Sequence, residues 1–282
     1  MEVNLTRRGL LQTGAAAVGA LHTLRGAGMA AEENGLKLGV ATYSLRKFSR
    51  PQAIDMLKQL KVTYLSIKSM HLPYEYSPEQ LKTAMDEFKT AGFTVLSAGN
   101  NNLAKNDDAD LRRYFEYAKN AGIPMLVIAP SHETMPKIEK LVKEYNIKVA
   151  IHNHGPEDKH YPSPRSVLQD IKNMDPRVGL CMDIGHSARA GADVVESVKE
   201  AGSRLIDMHV KDLADMKVSQ SQCDVGDGKM PFPALFRQLK KMNYQGGVML
   251  EYEINGDSPM MGMAKSLSYE RGVLAGLASA HS

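Results

Sequence analysis

Four short segments in the second half of the chain each carry a side chain able to bind a cation: Ile151-His152-Asn153-His154-Gly155, Met182-Asp183-Ile184-Gly185-His186, Met208-His209-Val210-Lys211-Asp212 and Leu250-Glu251-Tyr252-Glu253. Each closes an apolar run of the kind that forms a buried strand. Side chains alternate along a strand, so His152, Asp183, His209 and Glu251 all reach one side in a suitable register. Two imidazoles and two carboxylates suit one divalent ion of the Mn²⁺, Co²⁺, Fe²⁺ or Zn²⁺ type, whereas Mg²⁺ prefers an all-oxygen shell. A single His or Asp at a strand end is usually a loop-capping hydrogen-bonder. Four on neighbouring strands point instead to a shared metal, because charges gathered in one place need compensation.

The elements that must position these groups alternate from Leu36 onward. Strand candidates are Leu38 to Tyr43, Tyr64 to Lys68, Thr94 to Ala98, Met125 to Ala129, Lys148 to His152, Gly179 to Asp183, Leu205 to Val210 and Val248 to Glu251. Between and after them lie helix candidates near 51–60, 78–91, 108–121, 133–145, 164–173, 192–201, 232–242 and 264–278. Ser77-Pro78-Glu79 and Ser163-Pro164 each place a capping residue before an N1 proline. In the helix at 78–91, Leu81, Met85 and Phe88 recur at helical spacing. Eight alternating units predict a single-domain α/β fold, a (β/α)8 TIM barrel spanning 36–282. A doubly wound open sheet is the runner-up, but Thr42-Tyr-Ser-Leu-Arg after the first strand is no dinucleotide-binding glycine fingerprint. In such a barrel the active site sits at the carboxyl ends of the strands, where the four groups stand.

The chain has 282 residues, 43% hydrophobic and 24% charged, enough for a substantial core. Its formal charge of +3 is concentrated at the front, where Arg7, Arg8 and Arg25 face only Glu2 within residues 1–31. Elsewhere basic and acidic residues interleave, which argues against a nucleic-acid partner. Residues 1–31 resemble a twin-arginine export signal: Arg7-Arg8 followed by Leu10-Leu11, a weakly apolar Ala- and Gly-rich stretch, and a cleavage point expected near Ala30 or Ala31. A disordered amino-terminal tail is the plainer alternative. The stretch is too short and polar for a permanent span, so no stable membrane anchor is expected, and the mature protein is expected in the periplasm or another extracytoplasmic space. Twin-arginine substrates cross folded, often with a cofactor loaded. Cys181 and Cys223, in an apolar run and a Gly-rich loop, are not expected to form a bridge.

The strings His152-Asn-His-Gly, Cys-Met-Asp183-Ile-Gly-His186, Asp-Met-His209-Val-Lys-Asp and Leu-Glu251-Tyr-Glu are similar to those of the xylose-isomerase-like TIM barrels, often called sugar phosphate isomerases/epimerases. The resemblance runs from about Leu36 and is most specific between 149 and 253. It implies a mononuclear divalent metal held by His152, Asp183, His209 and Glu251, and a sugar whose neighbouring oxygens chelate it. One departure stands out: the family commonly has Glu where this chain has His152. Epimerases of the family exchange protons through two metal-bound glutamates on opposite faces of an enediolate. A coordinated imidazole nitrogen has no free lone pair, so base work falls to Glu251 or to an unligated group.

Other strand-end groups supply candidates. Lys68 and His71 follow the second strand and are placed to reach a substrate oxygen across the mouth, the alternatives being a solvated lysine and a loop histidine. His186 matches a family position that contacts substrate, and His154 reads as a substrate or supporting group. Lys211 shares the face of His209, and a lysine near a metal can have its pKa lowered into a useful acid–base range. The loop Asp224-Val-Gly-Asp227-Gly-Lys-Met-Pro-Phe either shapes the sugar site or is simply a turn. The expected function is metal-dependent isomerisation or epimerisation of a sugar or keto-sugar by proton abstraction alpha to a carbonyl, with Glu251, His186, Lys68 and Lys211 as catalytic candidates. Elimination by a 3-keto-glycoside lyase is the close second, a non-catalytic sugar-binding protein the alternative of another class. An apurinic-endonuclease-type phosphodiesterase shares the fold but needs a three-metal ligand set that this chain lacks.

Overall fold

The computed structural model describes residues 35–279. The export-signal reading of residues 1–31 lies outside them. Eight parallel strands close into a barrel: β1 Lys37–Ala41, β2 Tyr64–Ile67, β3 Thr94–Leu103, β4 Met125–Pro130, β5 Lys148–His152, β6 Val178–Asp183, β7 Leu205–Val210 and β8 Gly247–Leu250. Each strand pairs with its neighbours in sequence, and β1 closes the ring against β8. The helices are α1 Arg50–Gln59, α2 Pro78–Thr90, α3 Asp108–Ala121, α4 Met135–Tyr145, α5 Pro164–Asp170, α6 Ile184–Arg189, α7 Val194–Ala201, α8 Phe232–Lys241 and α9 Met260–Ser279. This is the (β/α)8 barrel expected from the alternating pattern.

Local chemistry fixes the helix starts. Ser77 and Ser163 form capping boxes with Gln80 and Ser166 ahead of α2 and α5, with prolines at the first helical position. Residue Ser49 does the same for α1 with Gln52. Helix α6 was not anticipated. It is a short turn of helix directly after β6, too brief to show a period, and it carries His186. Strand β3 runs on to Leu103, five residues past its expected end at Ala98, which brings Asn100 and Asn102 to the barrel mouth.

Strand alternation divides the apolar residues between two cores. The larger lies between the sheet and the helices and includes Leu65, Ile128, Ile151 and Leu180 from the strands and Phe88, Phe115 and Phe236 from the helices. A small one, Met125, Val127, Ala150 and Cys181, fills the interior. Beside it, Ser97 Oγ lies 2.7 Å from Asp207 Oδ2 and 2.9 Å from Ser66 Oγ, and burial pushes the Asp207 carboxyl up to about 6. The barrel is therefore plugged below its mouth.

After β7 the chain forms an antiparallel hairpin, Asp212–Leu213 with Gln222–Cys223, and then the glycine-containing loop. The Asp212 carboxylate organises this stretch. Its Oδ1 accepts from the amides of Leu213 (2.9 Å) and Met230 (2.9 Å), and its Oδ2 from those of Gly226 (2.9 Å) and Gly228 (3.1 Å). Replacing Asp212 by Asn turns one oxygen into a donor facing two donors. Urea denaturation of Asp212→Asn is expected to show a loss of about 1–3 kcal/mol, the usual consequence of leaving buried polar groups unmatched.

Candidate metal centre and substrate cavity

His152 ends β5, Asp183 ends β6, His209 lies one residue before the end of β7, and Glu251 follows β8 directly. The pairing registers set Asp183 beside His209 and His209 beside Met249, so Glu251, two residues on from Met249, faces the same way. All four side chains converge. One donor atom from each lies within 4.8 Å of the others. His152 Nε2 is 3.1 Å from His209 Nδ1 and 3.6 Å from Asp183 Oδ2, and His209 Nδ1 is 3.2 Å from Glu251 Oε2.

The geometry is held from behind. Asn153, fully buried, donates through Nδ2 to the Asp183 carbonyl (3.2 Å) and accepts the Asp183 amide on Oδ1 (3.1 Å), lacing the end of β5 to β6. Asp183 divides its oxygens. Its Oδ1 caps α6 by accepting the His186 amide at 2.8 Å, leaving Oδ2 buried in the cluster with no hydrogen bond. Lys211 enters from the side, its stem lying over Gly185, where a Cβ would stand 2.7 Å from Lys211 Cγ. Its Nζ is 3.1 Å from Asp183 Oδ2, 3.0 Å from Glu251 Oε2 and 2.5 Å from Glu253 Oε2.

Electrostatics follows from burial and this ammonium. Burial alone would raise Asp183 and Glu251, but Lys211 overrides it and holds both well below the usual carboxylate range. Burial pushes His152 down to about 3, so its ring is neutral. Burial works against His209 too, yet the adjacent Glu251 holds it above its ordinary value. The expectation of a lowered Lys211 pKa is reversed. Burial would lower it, but Asp183, Glu251 and Glu253 raise it well above the ordinary value, making Lys211 a fixed donor rather than a base.

The donor set fits a divalent transition ion. Contacts of about 2.0–2.2 Å to nitrogen and oxygen need donors gathered around one point. Asp183 Oδ2, which has an ion pair with Lys211 but no hydrogen bond, keeps lone pairs that a cation would engage. Cys181 also lies within 4.8 Å reach of the two imidazoles. Burial raises its thiol well above its ordinary value, which favours the nitrogen and oxygen set. Neither Cys181 nor Cys223 is bridged.

Above the cluster opens a cavity of about 480 Å³ whose lining includes His152, Glu251, Glu253, His154, His186, Lys68, Tyr43 and Asn100. Lys68, across the mouth, donates from Nζ to the Asn100 carbonyl, and burial lowers its pKa. The His154 Nδ1 faces Asp158 Oδ2 at 3.3 Å, and its Nε2 lies 2.9 Å from Asn100 Nδ2. His71 is not among the lining residues. It is fully buried, with Nε2 3.1 Å from the Phe48 carbonyl, because the turn after β2 folds its ring under the loop instead of over the mouth. None of residues 224–232 lines the cavity either, since that loop wraps around Asp212. Glu253 and Asn100 were missed. The first was signalled by its two-residue step from Glu251, whereas nothing in the sequence marked the second as lying on a strand.

The model of the xylose isomerase-like TIM barrel family matches residues 54–271. Inosose dehydratases from Mesomycoplasma hyopneumoniae and Clostridium perfringens are 28% identical over 158 residues and 27% over 136, covering 49% and 43% of this chain. The chain spans about half the length of these relatives, 52% and 46% respectively. Among solved structures, an uncharacterised protein from Parabacteroides distasonis is 26% identical, with a TM-score of 0.66 over 83% of this chain and 98% of its own. A zinc-bound IolI protein is similar in fold alone, at 16% identity and a TM-score of 0.72 over 85% of this chain and 98% of that one. The Escherichia coli 3-keto-D-glucoside 4-epimerase is likewise similar in fold, at 16% identity and a TM-score of 0.70 over 84% and 99%. With more than half its length matched by the family model, the chain belongs to the xylose isomerase-like TIM barrel family.

Proposed function

We propose that this protein is a metal-dependent enzyme that removes a proton alpha to the carbonyl of a keto-sugar and returns it to a neighbouring carbon or to the other face, as an isomerase or epimerase. The observation that carries the reading is the convergence of His152, Asp183, His209 and Glu251 within 4.8 Å at the floor of a polar cavity. Those four residues would hold the ion, with Mn²⁺, Co²⁺, Fe²⁺ and Zn²⁺ all compatible with the donors. Such an ion, when bound, supplies Lewis-acid polarisation of the carbonyl and favours ionisation of the adjacent carbon.

The chain's own residues supply the rest. Glu251 is the carboxylate that belongs both to the cluster and to the cavity lining. Its Oε2 is engaged by Lys211 and His209, while Oε1 has no hydrogen-bond partner among the described residues and is available to take the proton. Lys68 is a donor for a substrate oxygen, whereas Lys211, expected beside the substrate, does not line the cavity and instead holds Asp183, Glu251 and Glu253 from behind. The Glu253 carboxylate, tied to Lys211, stands ready as a second proton carrier on the Glu251 side.

A second reading, elimination of a β-substituent, is favoured by one observation: His152 stands where a second glutamate would serve two-faced proton exchange, and the two carboxylates nearest the cluster in the lining, Glu251 and Glu253, both follow β8. Partial similarity to inosose dehydratases and the fold shared with a 3-keto-D-glucoside 4-epimerase both agree with a polyhydroxylated keto substrate. We further propose that the enzyme works outside the cytoplasm, on the strength of Arg7-Arg8 and the weakly apolar stretch after them.

Turnover of a panel of keto-sugars in deuterated water separates the outcomes. An isomerase or epimerase puts solvent deuterium into recovered sugar, and a lyase releases its leaving group and an unsaturated keto-sugar. Neither result with any sugar at any metal loading, alongside binding that survives Glu251→Gln, would identify a binding protein instead. In an active enzyme Glu251→Gln is expected to lower kcat by about 10²- to 10⁴-fold, the usual contribution of a positioned base. For location, cell fractionation of the full chain should find it outside the cytoplasm, and Arg7→Lys with Arg8→Lys should retain it inside; equal distribution of both would refute export.

A further inference from the structure

His186 has two ring nitrogens in different surroundings. Its Nδ1 lies 3.1 Å from Nη1 of Arg189, three residues along the same turn of helix. A guanidinium carries only donors, so in this pair Nδ1 must accept. The proton of the neutral ring then sits on Nε2, which has no hydrogen-bond partner among the described residues, while the ring lines the cavity.

The arrangement around Arg189 is built. Its side chain is only 8% exposed, and its Nη2 is held by the Glu157 carboxylate from the loop after β5. Gly155 forms the base of the group at φ +86°, a backbone conformation natural to glycine. A Cβ there would stand 3.2 Å from His186 Nδ1, 3.3 Å from Arg189 Nη1 and 3.3 Å from Glu157 Oε2, so all three side chains close over the missing side chain. The backbone of His186 is anchored separately, through its amide on Asp183 Oδ1. Ring and cluster therefore keep a fixed relation.

We infer that Arg189, braced by Glu157 over Gly155, is a positioning residue that fixes His186 as its Nε2–H tautomer, so that His186 offers a hydrogen-bond donor to a substrate oxygen and does not act as the base. The hydrogen bond made by one imidazole nitrogen sets what the other presents. In the catalytic reading above, on which only the kinetic part of this inference rests, the division leaves proton abstraction to Glu251 and gives His186 the task of stabilising charge on an oxygen.

The test is nitrogen NMR of the ring in the zinc-loaded full chain, with His186 assigned by the signal lost in His186→Gln. Wild type is expected to carry its proton on Nε2. Arg189→Met, which removes the donors, and Glu157→Ala, an exposed change that frees Arg189, are expected to give mixed tautomers, while Arg189→Lys keeps Nε2–H. A wild-type proton on Nδ1, or an unchanged tautomer in Glu157→Ala and Arg189→Met alike, would overturn the inference. Turnover of a responsive keto-sugar should fall about 10- to 100-fold in Arg189→Met and recover in Arg189→Lys, the scale typical of residues that orient a functional imidazole. A chain that shows the Nε2–H tautomer yet turns over no keto-sugar refutes the proposed function and leaves the tautomer assignment standing.

Discussion

Buried negative charge is the constraint on which the rest of this barrel depends. Asp183 is fully buried and Glu251 nearly so, and a carboxylate withdrawn from water must be paired. Lys211 meets both, together with Glu253. Three carboxylates against one ammonium still leave two negative charges, and His152 is neutral. His209, held up by Glu251, can offset one of them when protonated. A divalent cation among the same donors would offset both and would engage the imidazoles through their lone pairs instead of their protons. On charge and on donor type alike, the cluster suits a metal.

The barrel delivers that cluster by register. Parallel pairing sets Asp183 level with His209, while His152 lies level with Cys181 and Glu251 two residues beyond Met249, all on one face, so the four strand ends converge without any long-range loop having to fold over them. The interior below is closed by Met125, Val127, Ala150 and Cys181 and by the Ser66, Ser97 and Asp207 group. Among the described residues the open route to the cluster is therefore the mouth, where β3 extends to bring Asn100 beside Lys68 and His154. The site divides into two walls. One, after β8, carries Glu251 and Glu253, backed by the buried Lys211; the other carries Lys68 and Asn100.

Most of the frame was legible because each of its elements is written locally. Seven of the eight strands fall close to their expected spans, and the serine–proline starts of α2 and α5 lie where the capping chemistry puts them. His152, Asp183, His209 and Glu251 could be chosen because strand alternation and barrel topology together say which way each points. What escaped notice depends on tertiary contacts. Helix α6 is too short for a period, and β3 beyond Ala98 contains Gly99 and three asparagines, residues poor in strand propensity. His71 was misplaced because the turn after β2 buries it, and Lys211 was misjudged because the approach of Glu253 is invisible before the fold is known. Arg189, likewise, gains meaning only once Glu157 and Gly155 are seen beside His186.

X-ray absorption at the zinc edge, on full-length protein loaded with one equivalent of Zn²⁺, probes the centre most directly. An ion held by His152, Asp183, His209 and Glu251 gives a shell of nitrogen and oxygen alone, at about 2.0–2.1 Å, with the outer-shell scattering of two imidazoles that drops to one in His209→Ala. A sulfur shell at about 2.3 Å would move the ion onto Cys181. Failure to retain stoichiometric metal, or a spectrum indifferent to the loss of His209, would mean that these four strand ends meet for some purpose other than holding a cation.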